Sequence, residues 1–367
     1  MDYLAPSRPA GRKMFFGCFN SGHVQPLGGF MNRLNCSVGL FLALLFLPAL
    51  GQAGAGPHVP GTLKGIAFSN PDMITEKPIE WQQQPIRYRP QDAGVDVTLL
   101  LDQNIYPGLL PLVEEFAKTN NIKVSVREGT CGPAAEGVLR KEVDIGGSCC
   151  PAAKMDRLPG LRWHTVGISP MAILARASDP VDQLTSEQIR DIFRGKLTRW
   201  SQIPSVGDKL GKDALIRPIT RLHCKTRPGH WRLILDNEEM FGPRINEVGT
   251  ILDMVESVTK SQGSLGYLEN WQLLNDPKHK NSVKAISVDG QSPMDPEGIS
   301  SGRYPFYWVY NVSTWTTENT TNPKAQQLVR YLMDNAARID PAHHLVPTAE
   351  LKKNGWKFKD DELIGEP

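Results

Sequence analysis

From Val95 onward, apolar runs of strand length alternate with stretches in which apolar residues recur at helical spacing. Val95–Leu101 predicts a strand. Leu109, Leu112, Val113 and Phe116 then fall at i, i+3, i+4 and i+7, one face of a helix, and Lys123–Arg127 returns as a strand. Gly129–Gly132 predicts a turn into a helix at Pro133, followed by a strand at Val143–Gly147. Further on, Thr185 or Ser186 is placed to N-cap a helix with the stripe Ile189, Ile192 and Phe193, and Gly195 ends it. LIRPITR, ending at Arg221, reads as a buried strand. Val248, Ile251, Leu252 and Val255 mark a later helix, Gly263–Tyr267, Val283–Val288 and Tyr304–Tyr310 are strands, and Ala325–Met333 is a last helix. Strands and helices in this alternation predict an α/β fold.

The first 94 residues lack that rhythm. Residues 1–30 read as an upstream or spurious extension. Residues 31–55 have the form of a secretory signal: MNRLN, the apolar run Cys36–Leu50, then small residues that set cleavage after Ala53 or Ala55. That run is shorter than the ~20 apolar residues of a spanning helix. A periplasmic or otherwise extracytoplasmic location follows as the expectation. Residues 56–94, rich in proline and glutamine, predict an extended N-terminal arm, and residues 340–367 a polar C-terminal tail.

Charge removes some functions. The chain of 367 residues carries a formal +2, but residues 1–55 hold four basic residues against one acidic, and the remainder has 37 basic and 38 acidic. A near-neutral surface argues against nucleic acid as a partner. Neither C-x-x-C nor H-E-x-x-H occurs, so the thiol-redox and metallohydrolase signatures are missing and an enzyme is not expected. Asn311 and Asn319 open N-x-S/T triplets.

The order of helix, polar loop and strand over 184–221, with the G-K-L-T-x-W stretch Gly195–Trp200 and Arg221 closing the strand, resembles the periplasmic phosphate-binding proteins that feed ABC transporters. GSLGY at Gly263–Tyr267 and the Tyr-Pro strand at Tyr304 support the likeness. It implies a two-lobed type 2 periplasmic-binding-protein fold, with a cleft between α/β lobes joined by a double crossover hinge. Lobe one would be 95–175 plus 283–339 and lobe two 176–282. It also implies a monomer that captures a small inorganic anion, phosphate or a similar oxyanion, and hands it to an ABC transporter permease or reports it to a membrane sensor.

Three turns, each with a proline suited to a first helical turn, are the expected ligand contacts: Gly129–Pro133, Gly146–Pro151 and Arg221–His230. Thr130, Cys131, Gly132, Ser148, Cys149, Arg221 and Thr226 are the candidate ligand-binding residues, Arg221 as the charged donor. The departures from the family fall in the same turns. Thr130-Cys131-Gly132 stands where relatives have Gly-Ser-Gly, Ser148-Cys149 where they have a Ser-Asp pair, and His223-Cys224-Lys225-Thr226 where they have Ser-Gly-Thr. Every cysteine beyond residue 55 lies in these turns, and thiols are poor oxyanion donors. Two alternatives stay open. The four cysteines could form two disulfides, with no cofactor. Or Cys131, Cys149, Cys150 and Cys224 with His223, and His230 as a further ligand, could form a thiolate site for arsenite, a soft metal ion or a metallo-cofactor.

Overall fold

A segment without apolar periodicity must take its stability from the surface it lies on, and residues 68–94 do so. The computed structural model describes residues 68–224, 227 and 229–367. The signal-like segment, the first residues of the arm, and Thr226 lie outside them. Within the arm, α1 (Ile79–Gln83) carries Trp81, whose indole N–H donates to the Leu139 carbonyl and whose ring centroid is 6.1 Å from that of Trp315. Lys141 lies with its ammonium 4.3 Å from the Trp81 ring centroid and donates to the carbonyls of Trp81, Gln82 and Gln84. One buried lysine thus satisfies carbonyls that so short a helix leaves open.

An apolar run buried on both faces belongs inside a parallel sheet. β1 (Val97–Asp102, VTLLLD) is buried throughout and pairs in parallel with β2 (Val124–Gly129) and β3 (Ile145–Ser148). The connections are α2 (Tyr106–Thr119), with Leu109, Leu112, Val113 and Phe116 on its buried face, and α3 (Cys131–Leu139). β4 (Leu161–Pro170) completes this part, and one residue, Met171, separates it from β5 (Ala172–Arg176). β5 belongs to a second sheet with β6 (Gln183–Leu184), β7 (Arg217–Thr220), β8 (Asn246–Glu247), β9 (Ser264–Leu268) and β10 (Val283–Val288), in the order β6-β10-β5-β9-β7-β8. The first sheet has the order β12-β4-β11-β3-β1-β2, where β11 is Tyr307–Trp315 and β12 is Val346–Pro347.

The chain therefore crosses between sheets twice, as a two-lobed type 2 binding fold requires. The crossings differ in place from the sequence expectation. Ala172–Arg176 and Val283–Val288 pair with each other in the second sheet, so the outward crossing is at Met171 and the return follows Val288. At the crossing, Met171 N–H donates to the Phe306 carbonyl (2.9 Å) and its own carbonyl accepts from the Tyr304 hydroxyl (2.8 Å). The return path includes α7 (Pro296–Ser300), N-capped by Asp295.

Helices of the second lobe follow their patterns. α4 (Ser186–Phe193) opens with a capping box in which Thr185 accepts from Gln188 N–H, and buries Ile189, Ile192 and Phe193. α5 (Ile251–Lys260) is capped by Thr250, and the short α6 (Trp271–Asn275) by Asn270. In the first lobe, α8 (Pro323–Asp334) buries Ala325, Leu328, Val329 and Leu332.

Residues 340–367 are not a solvated tail. α9 (Thr348–Lys353) and the hairpin β13 (Lys357–Lys359) and β14 (Glu362–Gly365) bury Leu351, Trp356 and Leu363. Glu362 makes a bidentate pair with buried Arg157, at 2.7 and 3.0 Å. The polar character that suggested a tail belongs to the outer face of this cap. Asn311 likewise is a buried strand residue whose amide donates to Cys150 O and whose carbonyl accepts from Thr165.

Candidate ligand site

In open α/β sheets, ligands collect beyond the carboxyl ends of parallel strands, and the chemistry-bearing residues here lie there. Asp102 ends β1, Thr130 and Cys131 follow β2, Ser148 ends β3 with Cys149 and Cys150 next, Arg221–Cys224 follow β7, and Glu269 follows β9. The glycines of β3 allow the approach: a Cβ on Gly147 would lie 2.5 Å from Leu101 Cδ2 and 2.7 Å from Ile105 Cδ1.

Of the three turns expected to open helices, only Gly129–Pro133 does, with Thr130 as N-cap of α3. The second turn runs through Pro151 without regular structure into a 3₁₀ segment at Lys154–Asp156, and the third leads into one at His230–Leu233. Within that turn Cys224 (φ 52°), Gly229 (φ 100°) and His230 (φ 53°) have left-handed backbone, uncommon for a side-chain-bearing residue. The kinked turn replaces the helix N-terminus that the proline spacing suggested.

The sulfurs converge. Cys131 Sγ is 3.2 Å from Cys149 Sγ and 3.1 Å from Asp102 Oδ2, and Cys149 Sγ is 2.8 Å from His230 Nε2. Donor atoms of Cys131, Cys149, Cys150 and His230 all lie within 4.8 Å of one another, and all four residues are buried. Each of the four cysteines in this region is a free cysteine, and three of them, Cys131, Cys149 and Cys150, group with His230. Cys224 is partly exposed, and the neighbouring Cys131 pushes its thiol up.

The electrostatics center on Cys131. Hydrogen bonds from Cys149, Cys150 and Cys224 hold the Cys131 thiol well below the usual range, against its burial. Burial pushes Cys149 and Cys150 up, and burial with the neighbouring Cys131 pushes Asp102 well up. For His230 burial acts downward, but Cys131 and Glu269 overcome it and push the imidazole up to about 10. Glu269 Oε1 is 3.1 Å from His230 Nδ1; although burial opposes it, the His230 partner holds this carboxyl at about 2. His223 is pushed down to about 4, by burial and then by His230.

Other candidates fall around this group in different ways. His230, not His223, meets the sulfurs: His223 Nδ1 is 2.9 Å from Arg221 O, and its ring stands edge-on to His230 at 4.8 Å. Arg221 Nε donates to Gly249 O, its Nη1 is buried with no partner among the described residues, and its N–H and carbonyl are both held by the Tyr267 hydroxyl. Ser148 Oγ bonds the backbone of Cys150, and with Gly132 it lines a cavity of ≈ 320 Å³ beside the Asp156–Arg227 ion pair. Asp102 and Glu269 were not evident in the sequence. The signal that could have found them is position, as each lies within two residues of the end of a predicted strand. Asn104 beside Asp102, and Tyr310, whose hydroxyl is raised by burial and then by Cys149, keep buried polar atoms without a partner among the described residues.

Two sheets, a double crossover and a buried polar meeting point between strand ends define a solute-binding fold. The chain belongs to the PBP superfamily, whose domain matches residues 89–336. It is 24% identical over 268 residues to the phosphate-binding protein PstS of Bacillus subtilis (strain 168), covering 71% of this chain and 84% of that one. Among solved structures, a Clostridium perfringens protein with bound phosphate, described as a phosphate ABC transporter substrate-binding protein, aligns with TM-score 0.55 at 19% identity, over 69% of this chain and 99% of that one. An ABC-type phosphate transport receptor from Vibrio cholerae aligns with TM-score 0.53 at 16% identity, over 68% and 98%. These two likenesses speak for the fold. No helix among the described residues is long and apolar enough to cross a membrane.

Proposed function

We propose that this is an extracytoplasmic solute-binding protein that captures one small inorganic ligand between its lobes and delivers it to an ABC transporter permease or reports it to a membrane sensor. The observation that supports it best is that loops from both sheets bring buried polar groups to one point, Cys131, Cys149 and Cys150 from the first and His230 and Glu269 from the second. A site divided in this way makes binding a closing force, since the ligand gains its full set of contacts only when the lobes meet. The names of the relatives favor phosphate or a similar oxyanion. For that class Arg221, with its buried unpartnered Nη1, would be the charged donor and Thr130 at the start of α3 the hydroxyl.

Mass spectrometry of the protein purified from its native compartment tests the reading, with small-angle scattering of the same sample before and after ligand removal. The expected result is a mature N-terminus after Ala53 or Ala55, one bound inorganic ligand and a more compact bound form. Retention of Met1 or Met31, or identical scattering in both states, would count against it.

A further inference from the structure

We propose that the ligand captured at this site is a soft metal ion of the Zn²⁺, Cd²⁺ or Cu⁺ class, bound by Cys131, Cys149, Cys150 and His230, with Glu269 as the carboxylate partner that orients the histidine. The inference rests on the capture reading above and names its ligand. Three sulfurs and one imidazole nitrogen are a familiar tetrahedral donor set. With metal–sulfur bonds near 2.3 Å and metal–nitrogen bonds near 2.0 Å, a tetrahedron needs donor–donor edges of about 3.5–3.8 Å. The observed separations run from 2.8 Å for Cys149 to His230 up to no more than 4.8 Å, so small side-chain shifts close the polyhedron.

The surroundings are built for a cation. His230 Nδ1 lies 3.1 Å from Glu269 Oε1, and both side chains are nearly inaccessible, at 1% and 2% exposure. Donation from Nδ1–H to that carboxylate leaves Nε2 as the atom facing the sulfurs, the arrangement by which metal-binding histidines are fixed in tautomer and orientation. Asp102 places a carboxyl oxygen 3.1 Å from Cys131 Sγ. An oxyanion placed among these groups would meet the Glu269 carboxylate and sulfurs that donate weakly. Arg221 gives its Nε to the Gly249 carbonyl, and its Nη1 has no partner among the described residues. Thiolate-rich sets select soft ions over Mg²⁺ or Ca²⁺, which take oxygen ligands.

The donors also divide between lobes. Cys131, Cys149 and Cys150 follow strands of the first sheet, whereas His230 lies on the turn after β7 of the second. A metal ion bound by all four would pin the lobes together. Cys224, the partly exposed cysteine of the four, is placed to hand the ion in and out.

The test uses the mature chain, reduced and stripped with a chelator, titrated separately with Cd²⁺, Zn²⁺ and inorganic phosphate. Cd²⁺ should bind one-to-one with a sulfur-to-metal charge-transfer band, and it should displace Zn²⁺ bound first. Cys149→Ser and His230→Ala should each weaken Cd²⁺ binding at least a hundredfold, and Glu269→Gln by about 10–100-fold, with far-UV circular dichroism unchanged. Phosphate bound one-to-one by the unsubstituted protein, with neither Cd²⁺ nor Zn²⁺ bound, would overturn the metal site and leave the capture reading standing. Cd²⁺ binding indifferent to these substitutions would also overturn it. A folded protein that binds neither Cd²⁺, Zn²⁺ nor phosphate would overturn both. Unfolding on chelation would make the ion a structural stud and overturn its role as cargo.

Discussion

The Arg157–Glu362 pair is a direct test of whether the C-terminal cap belongs to the folded domain. Arg157 Nη2 and Nη1 reach the two Glu362 oxygens at 2.7 and 3.0 Å, while Nε donates to Ser69 Oγ (2.8 Å) and Nη2 to Ser69 O (3.0 Å). The side chains are only 5% and 10% exposed, so one guanidinium ties the arm, the segment after Cys150 and β14 together in a place water does not screen. Arg157→Met leaves a buried carboxylate without its partner, and Glu362→Leu a buried guanidinium. Each should cost about 3–5 kcal/mol. The double variant removes both charges at similar volume, so it should cost less than the sum, with a coupling of about 0.5–3 kcal/mol. Urea unfolding of the four proteins, followed by tryptophan fluorescence, measures all three quantities. Single variants within about 1 kcal/mol of the parent, as for a surface pair, or strictly additive losses, would refute the reasoning.

Gly147→Ala should destabilise by about 1–3 kcal/mol in urea, because the added methyl meets Leu101 and Ile105 in a packed sheet. Two residues on, it should also displace Cys149 and weaken Cd²⁺ binding; unchanged stability would show that β3 has slack. Trp81→Ala removes the indole packed between Lys141 and Trp315 and should cost about 1–3 kcal/mol while exposing residues 68–94 to limited proteolysis. Cys224→Ser, at the partly exposed edge of the sulfur group, should lower Cd²⁺ affinity less than tenfold while slowing or speeding its exchange; a loss equal to that of Cys149→Ser would make Cys224 a full ligand.

Local signals made much of the fold legible. α4 was readable because its cap, first turn and apolar stripe agree, and β10 because a short apolar run had turn residues on both sides. The stretch Leu161–Arg176 was not, since polar Arg162, His164, Thr165 and Ser169 blur its apolar pattern and a single residue divides its two strands. The lobe boundaries shifted for the same reason: membership of a sheet is decided by pairing at long range, which periodicity does not encode. The gathering of cysteines into ligand turns was visible, but their meeting with His230 was not. That contact depends on left-handed backbone at Cys224 and His230, where proline spacing suggested an ordinary helix start. The apparent C-terminal tail misled because exposed Lys352, Lys353, Lys357 and Lys359 are interspersed with the buried Val346, Leu351, Trp356 and Leu363 that dock it.

The crossing at Met171 governs how this molecule can move. Outgoing and returning chains lie side by side there, joined by the Met171 N–H to Phe306 and the Tyr304 hydroxyl to Met171, while the Trp271 indole clasps the Pro170 carbonyl from the second lobe. Two tethers fastened edge to edge behave like a leaf hinge. They bend easily about one line and resist torsion and sliding, so opening is confined to a single arc. The two halves of the binding site then return to the same register at each closure, and an ion that needs donors from both halves meets them without a search over relative orientations.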